Sequence, residues 1–162
     1  MPGLPHRVGA QPGISARKGQ GIRPAVQLWS RLQHGESVEY NGQLVTPDSV
    51  LGPPRRGISF AFITDTRPTH QLAEFVNDVD LLLCESMYDD PADLPLARAN
   101  AHMLAEESAG IAKAAGAHSL ILTHFSPKIN DPSRAEKAAQ RVFANTRAAR
   151  DGMAVTLDYP AD

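Results

Sequence analysis

The sequence predicts an α/β fold in which helices flank a mostly parallel β-sheet. From residue 58 onward, short apolar segments alternate with helical segments, which is the pattern of consecutive βαβ units. The strand segments are continuously apolar, as is typical of parallel strands that are covered on both faces. With 162 residues, 42% of them hydrophobic, the chain is long enough to bury one core of ordinary size.

The composition excludes several classes of protein. No apolar run is long enough to cross a bilayer, and no signal-peptide pattern opens the chain. The single cysteine, Cys84, excludes an internal disulfide and is compatible with a reducing compartment. We therefore expect a cytoplasmic protein without a membrane partner.

Residues 1–57 are predicted to form a separate, irregular and basic segment. They carry seven Lys and Arg residues against three acidic ones, whereas residues 58–162 carry nine against fifteen. Residues 1–24 contain five glycines and four prolines without periodicity and are expected to be irregular. Such a segment is either a phosphate-contacting arm or a solvated loop region, and its charge alone does not decide between them.

The remaining elements follow from periodicity and turn signals. A short amphipathic helix over 25–35 ends at a glycine, and Asn41-Gly42 predicts a hairpin with a type I′ turn. An aspartate cap and a proline in the first turn open the last predicted helix, and a glycine closes it. In chain order, residues 58–162 are expected to hold a strand at 58–64, a helix at 70–78, a strand at 79–85, a helix at 102–117, a strand at 119–124, a helix at 131–152 and a strand at 153–159.

Polar side chains stand at the ends of three of these strands. Asp65 follows the first strand, Glu85 ends the second and His124 ends the third, while His102 opens the intervening helix. Because ligand sites in parallel sheets collect at the carboxyl ends of the strands, all four groups should face one crevice. Taken singly, each also has a plain structural explanation, such as Asp65 capping the helix that begins near Thr69.

Together these residue types suit metal binding and proton transfer. Asp65 can offer oxygen to zinc, manganese or magnesium, and His124 can offer nitrogen to a transition metal. His102, at a helix N-terminus, can bind a phosphate oxygen or, once charged, donate a proton to a leaving alkoxide. Glu85 can hold His102 in one tautomer.

Several stretches resemble, in unchanged order, the motifs of one known family. "ITDTRP" is similar to a Gly-Asp-Thr-Arg motif with Thr64 in place of glycine, and "CESMY" to His-Glu-Ala-Thr-Phe with Cys84 in place of histidine. "HMLAEESAGIAKAAGAHSLILTHFSPK" resembles a His-Ser-Thr helix followed by a Leu-Thr-His segment, with Lys128 where arginine is usual. "LQHGESVEYNGQLVTPDSVLGPPRRG" matches a Gly-Glu and Leu-Gly-Pro-Pro stretch. The family is that of ribonuclease Z, tRNA 3′-end endonucleases of the metallo-β-lactamase superfamily.

The resemblance implies the C-terminal half of a metallo-β-lactamase αββα sandwich. It further implies a zinc-dependent phosphodiester hydrolysis, with manganese or magnesium as alternatives. Asp65 would bridge two zinc ions, His124 would ligate one of them, and His6 would ligate the other.

The same resemblance implies roles at the substrate. His102 and Glu85 would be the proton-donating pair for the leaving 3′ oxygen, and Lys128 with Ser126 would contact the substrate phosphate. Precursor tRNA would be the substrate, bound by a homodimer whose tRNA-gripping arm, near residues 12–34, looks shortened here.

The family's His-x-His-x-Asp-His motif, with four metal ligands and the general base, does not occur in these 162 residues. Three retained ligands do not complete two zinc sites, since each site needs about four donors. We therefore expect the chain alone to be inactive, unless a second chain supplies the N-terminal half. The alternatives are another phosphodiesterase of the same superfamily, or a non-catalytic half that dimerises with a catalytic partner.

Overall fold

A computed structural model describes residues 6–10, 25–53 and 55–159. The strands are β1 (His6–Ala10), β2 (Val38–Tyr40), β3 (Gln43–Val45), β4 (Arg55–Ile63), β5 (Leu81–Glu85), β6 (Leu120–Thr123) and β7 (Thr146–Ala148). The helices are α1 (Val26–Gln33), α2 (Pro47–Val50), α3 (His70–Phe75), α4 (Leu94–Ala99), α5 (Ala105–Ala114) and α6 (Ser133–Gln140), with a 3₁₀ turn at Pro91–Asp93.

Five of the strands form one sheet in the order β1-β4-β5-β6-β7, and the pairs from β4 to β7 are all parallel. The predicted α/β fold with a mostly parallel sheet is therefore confirmed. The chain divides into two compact units, whose main segments are Ile58–Asp158 and Val8–Gly57. No helix in the described part of the chain combines the length and the apolar character that a membrane span requires.

The core of the first unit lies on one face of the parallel sheet. The register aligns Ile63, Cys84, Leu122 and Ala148 across four strands, and all of them are buried. The first three belong to one apolar cluster with side chains of α3, α5 and α6. On the opposite face, Phe62 is 45% exposed, so this face is only partly covered.

Leu122→Ala is expected to lower the free energy of unfolding by about 2–5 kcal/mol, because a fully buried leucine would leave a cavity that its neighbours fill only in part. Urea denaturation followed by circular dichroism measures the change. Leu96→Ala is the matched control, since Leu96 is 42% exposed and should lose much less. Equal losses in the two variants would contradict this placement of the core.

The second unit contains a small cluster under a hairpin. Leu32, Val38, Val45 and Val50, from α1, β2, β3 and α2, are buried against one another. The predicted hairpin is confirmed: β2 and β3 pair antiparallel, and Asn41 and Gly42 both have positive φ, 53° and 72°. This is the backbone that a type I′ turn requires, and asparagine and glycine adopt it at low cost.

Three predictions about the ends of the sheet are wrong. Residues 1–24 are not wholly irregular, because β1 forms within them and joins the five-stranded sheet. The helix predicted over 131–152 ends at Gln140, and the last strand is β7 instead of 153–159. Hydrogen bonds with α6 help to hold β7: Glu136 accepts from the Ala148 N–H at 2.7 Å, and Gln140 donates to the Thr146 carbonyl at 2.9 Å. These contacts stabilise a short, partly polar strand, which has no apolar run in the sequence from which it could be predicted.

The sequence analysis predicted that His102 opens a helix, and this prediction is wrong. α5 begins at Ala105, and Leu104 before it is extended and forms a parallel bridge with Tyr88. The Tyr88 N–H donates to the Met103 carbonyl at 3.3 Å, and the Ala105 N–H donates to the Tyr88 carbonyl at 2.9 Å. The interval before it contains α4, which the sequence analysis did not predict.

Candidate active site

The strand ends bring three polar groups to one edge of the parallel sheet. Glu85 is the last residue of β5, His124 directly follows β6, and Asp65 lies two residues beyond β4. His102 joins them from the segment between α4 and α5. Asp65, His102 and His124 each offer a ligand atom, and these atoms lie within 4.8 Å of one another.

Asp65 and His124 share an unusual backbone conformation. Their φ angles are +51° and +57°, in the left-handed region that residues with a Cβ seldom adopt. Such a conformation costs of order 1–3 kcal/mol and persists only where the surrounding structure imposes it. It is frequent in functional sites, and here it accompanies the two strand-end residues whose side chains meet.

Glu85 is the buried centre of the site. Its side chain is fully buried, and its Oε1 accepts from the Thr66 N–H at 2.6 Å. Its Oε2 accepts from the Met103 N–H at 3.1 Å and contacts Nδ1 of His102 at 3.0 Å. These three donors compensate for the removal of the carboxylate from water. They also tie the loop after β4 to the segment before α5.

The contact with Glu85 sets the tautomer of His102. A carboxylate that accepts from Nδ1 requires the proton on that nitrogen, which leaves Nε2 free to act as a base or a ligand. The rings of His102 and His124 lie with their centroids 5.4 Å apart. The imidazole of His102 is only 18% exposed, so its orientation is constrained by its surroundings.

Arg67 also connects the loop after β4 to the first turn of α5, and the sequence analysis did not predict this contact. Its guanidinium forms a bidentate pair with Glu107 and also donates to the carbonyl of His102. Glu107 in turn accepts from the Leu104 N–H at 2.9 Å, at the start of α5. Arg67 and Glu107 are 40 residues apart in sequence, so no local spacing could have paired them.

Asp65 is an anionic group at neutral pH. The hydroxyl of Thr64 donates to its Oδ1 at 2.6 Å, and this bond is the main reason that the pKa of Asp65 is lowered. The positive charges that His124 and His102 can carry lower this pKa further, while partial desolvation opposes the shift. Oδ1 lies 3.4 Å from Nε2 of His124.

This donor set fits a metal ion. Two imidazole nitrogens and one carboxylate oxygen are ligands that zinc and related transition metals accept. The 3.4 Å between Asp65 and His124 matches the separation of roughly 3.3 Å expected between two ligands of a tetrahedral zinc ion. In the described side chains this is the one group of three or more such ligands.

The other predicted site residues are placed as follows. His6 begins β1, but its side chain lies outside the described part of the chain. Cys84, where the related motif has histidine, faces the core, and burial raises the pKa of its thiol to about 12. It is therefore an inert apolar residue rather than a metal ligand.

Lys128 and Ser126 lie in the loop after β6. Lys128 is exposed and lines a cavity of about 210 Å³. Ser126 lines the same cavity and also a more open depression of about 630 Å³ that includes His124. The structure therefore places Ser126 between the histidine and the lysine, and Lys128 in the adjoining cavity.

Curated relatives of this chain are ribonuclease Z proteins of clostridia. The chain is 40% identical over 134 residues to ribonuclease Z of Lachnoclostridium phytofermentans, which is 83% of this chain and 44% of that protein. It is 42% identical over 132 residues to ribonuclease Z of Clostridium tetani, a match that covers 82% of this chain and 42% of that protein. It is 38% identical over 149 residues to ribonuclease Z of Clostridium botulinum (strain Eklund 17B), a match that covers 92% of this chain and 47% of that protein. The chain thus spans less than half the length of these relatives.

Solved structures agree on the fold. The metallo-β-lactamase fold protein YhfI of Bacillus subtilis superposes with a TM-score of 0.53 at 26% identity, over 59% of this chain and 39% of that one. The short form of human tRNase Z superposes with a TM-score of 0.50 at 20% identity, over 71% of this chain and 37% of that one. No protein-family model matches the chain. Its fold is nevertheless that of the metallo-β-lactamase proteins, and its sequence corresponds to a C-terminal portion of ribonuclease Z proteins.

Proposed function

We propose that this chain is the C-terminal part of a zinc-dependent endoribonuclease that processes the 3′ end of precursor tRNA. The observation that carries the proposal is the contact between His102 and Glu85 directly beside Asp65 and His124. A buried carboxylate that orients a histidine beside residues able to ligate metal suits acid-assisted phosphodiester hydrolysis. The ribonuclease Z relatives supply the substrate class.

Each residue has a role in this proposal. Asp65 and His124 ligate metal, together with His6. When bound there, zinc would stabilise the charge that develops on the phosphoryl oxygens. As a water molecule attacks the phosphorus and the bond to the 3′ oxygen breaks, His102, once charged, donates its Nε2 proton to that leaving oxygen. Glu85 accepts from Nδ1–H and so stabilises the charged imidazole before the transfer. The tRNA product then ends in a 3′-hydroxyl and the trailer begins with a 5′-phosphate.

The substrate phosphate is proposed to lie on the loop after β6. Ser126 can donate a hydrogen bond from a position next to His124, and Lys128 adds a positive charge. A lysine acts there as a point charge, without the bidentate fork of an arginine. The contribution of Lys128 to phosphate binding would therefore weaken as the salt concentration rises.

We further propose that residues 58–162 are a catalytic half-domain and that residues 1–57 include the remnant of a tRNA-binding arm. Two-metal hydrolysis needs both ions, and the described ligands suit one. The remaining ligands are proposed to come from the portion of the relatives that this chain does not match, in the same polypeptide or a second one. The partly exposed face around Phe62 is where a second sheet of an αββα sandwich would pack. A homodimer in the cytoplasm is the proposed working form.

A second candidate is a phosphodiesterase of the same fold that acts on small substrates. The shortened arm region agrees with it. The two candidates differ in the substrate and not in the site.

The chain by itself is expected to leave precursor tRNA uncleaved, because its described ligands do not complete two metal sites. A chimera in which this chain replaces the matching portion of the Clostridium tetani relative is expected to cleave it. Cleavage is followed on gels with precursor and mature tRNA as markers. Robust turnover by the isolated chain would contradict the half-enzyme proposal. A chimera that hydrolyses bis(p-nitrophenyl) phosphate but spares precursor tRNA would favour the second candidate.

A further inference from the structure

We propose that Arg67 is a positioning residue for proton transfer, which holds the main chain of His102 so that Nε2 faces the leaving 3′ oxygen. The proposal rests on the proposed function, in which His102 supplies the proton. It adds a residue that acts through the imidazole and not on the substrate directly.

The contacts of Arg67 are the first support. Its guanidinium donates from Nη1 to the carbonyl oxygen of His102 and forms a bidentate pair with the carboxylate of Glu107. Oε2 of Glu107 accepts from Nη1 at 2.7 Å and also from the Leu104 N–H at 2.9 Å. The arginine and the glutamate together therefore hold the main chain at the carbonyl of His102 and again two residues later.

Each side of His102 is held by a different part of the fold. Its N–H donates to the Ala97 carbonyl of α4 at 2.9 Å, and its Nδ1 contacts Glu85 at the end of β5 at 3.0 Å. Its carbonyl is held by Arg67, from the loop after β4. Without this third contact, the carbonyl side of the residue can move while Nδ1 stays with Glu85, and Nε2 then swings about that contact.

Such a movement matters for proton transfer. An acid has to lie within hydrogen-bond reach of the oxygen that it protonates, roughly 2.6–3.2 Å away. A misplacement of about 1 Å, even one caused far from the reacting atoms, can lower the rate about 10²-fold. The position of the His102 main chain is therefore expected to affect the rate even when the imidazole itself is unchanged.

The chemistry of arginine is the second support. A planar guanidinium can bind both oxygens of Glu107 and still donate to a carbonyl, whereas the ammonium of lysine is a point charge without this fork. Because Arg67 and Glu107 have opposite charges, the pair adds little net charge beside the imidazole. Its expected effect is thus on the position of His102.

The loop that contains Arg67 is the third support. Asp65, a proposed metal ligand, lies two residues earlier, and the Thr66 N–H between them donates to Glu85 at 2.6 Å. Three consecutive residues therefore offer a metal ligand, bind the carboxylate that orients the imidazole and hold the carbonyl of the proton donor. This loop sets the distance between the metal ligand and the acid.

The first test compares two leaving groups in the chimera. The 3′ oxygen of RNA leaves as an alkoxide that has to be protonated, whereas p-nitrophenolate leaves bis(p-nitrophenyl) phosphate as a stable anion. We expect Arg67→Lys to lower kcat for precursor tRNA about 10²-fold with KM nearly unchanged, and to lower the rate with bis(p-nitrophenyl) phosphate at most about tenfold. Arg141→Lys is the matched control, since Arg141 is 75% exposed beside Glu106 on α5 and should leave both rates unchanged.

A double variant shows whether Arg67 acts through the imidazole. Residues that act as a unit have non-additive effects, so Arg67→Lys is expected to slow His102→Ala no further on precursor tRNA. Glu107→Gln keeps one acceptor oxygen but loses the bidentate ion pair, and the same difference between the two substrates is expected with a smaller loss. Equal losses on both substrates, a raised KM as the main effect, or additive losses in the double variant would overturn the proposal.

Proton NMR of the 162-residue chain gives a readout without turnover. The Nδ1–H of His102 is expected far downfield in the wild type, because its acceptor is a fully buried carboxylate, and broadened or lost in Arg67→Lys but not in Arg141→Lys. Circular dichroism shows whether each variant is folded, and Glu107→Gln gives the same readout if Arg67→Lys does not fold. An unchanged resonance in the folded variant would contradict the proposal. If the wild-type chimera leaves precursor tRNA uncut, the proposed function fails, while this spectrum still decides whether Arg67 positions His102.

Discussion

Glu85→Ala is expected to lower the free energy of unfolding by about 3–5 kcal/mol, the range for removing one partner from a buried charged network. The carboxylate is fully buried and accepts from Thr66, Met103 and His102. Its removal leaves two backbone N–H groups and an imidazole N–H without their acceptor, besides a cavity. The loss is therefore much larger than that of an ordinary surface change.

Two further variants make this result specific. Glu74→Ala removes a glutamate that is 73% exposed and should change stability by less than about 0.5 kcal/mol. Glu85→Gln keeps the shape of the side chain but turns an amide N–H₂ towards groups that also donate, so an intermediate loss of about 1–3 kcal/mol is expected. Denaturant unfolding of the three variants measures the series. An unchanged stability in Glu85→Ala would mean that the network does not hold the site together.

His124→Ala is expected to reduce cleavage of precursor tRNA by the chimera at least about 10³-fold, since a metal ion contributes several kcal/mol of charge stabilisation to such reactions. His124 is 39% exposed and is not a member of the core cluster, so the protein should remain folded. Single-turnover rates with saturating zinc measure the effect.

His118→Ala is the matched control for this loss. His118 lies two residues before β6, at the opposite end of the strand from His124, and its ring is paired with Asp78 at 3.3 Å. It is 54% exposed and should leave the rate nearly unchanged. Near-normal cleavage by the His124 variant would remove the ligand assignment and with it the proposed site.

Much of the fold could be predicted because its signals are local. Apolar runs marked β4, β5 and β6, and Asn41-Gly42 marked the hairpin, because a two-residue turn with positive φ at both positions tolerates few other pairs. β7 could not be predicted in this way. It is three residues long, it contains Thr146 and Arg147, and its position depends on pairing with β6 and on hydrogen bonds from α6.

The sequence by itself determined that Asp65, Glu85 and His124 stand at one edge of the sheet, because parallel strands deliver their carboxyl ends to the same side. Only the tertiary structure decided where His102 lies. It lies before α5 instead of in it, because the residues that follow it, Met103 to Ala105, pair with the backbone of Tyr88, and its Nδ1 contacts Glu85. Contacts between residues far apart in the chain leave no periodicity in the sequence, so the geometry that sets the chemistry of this histidine became visible only in the folded protein.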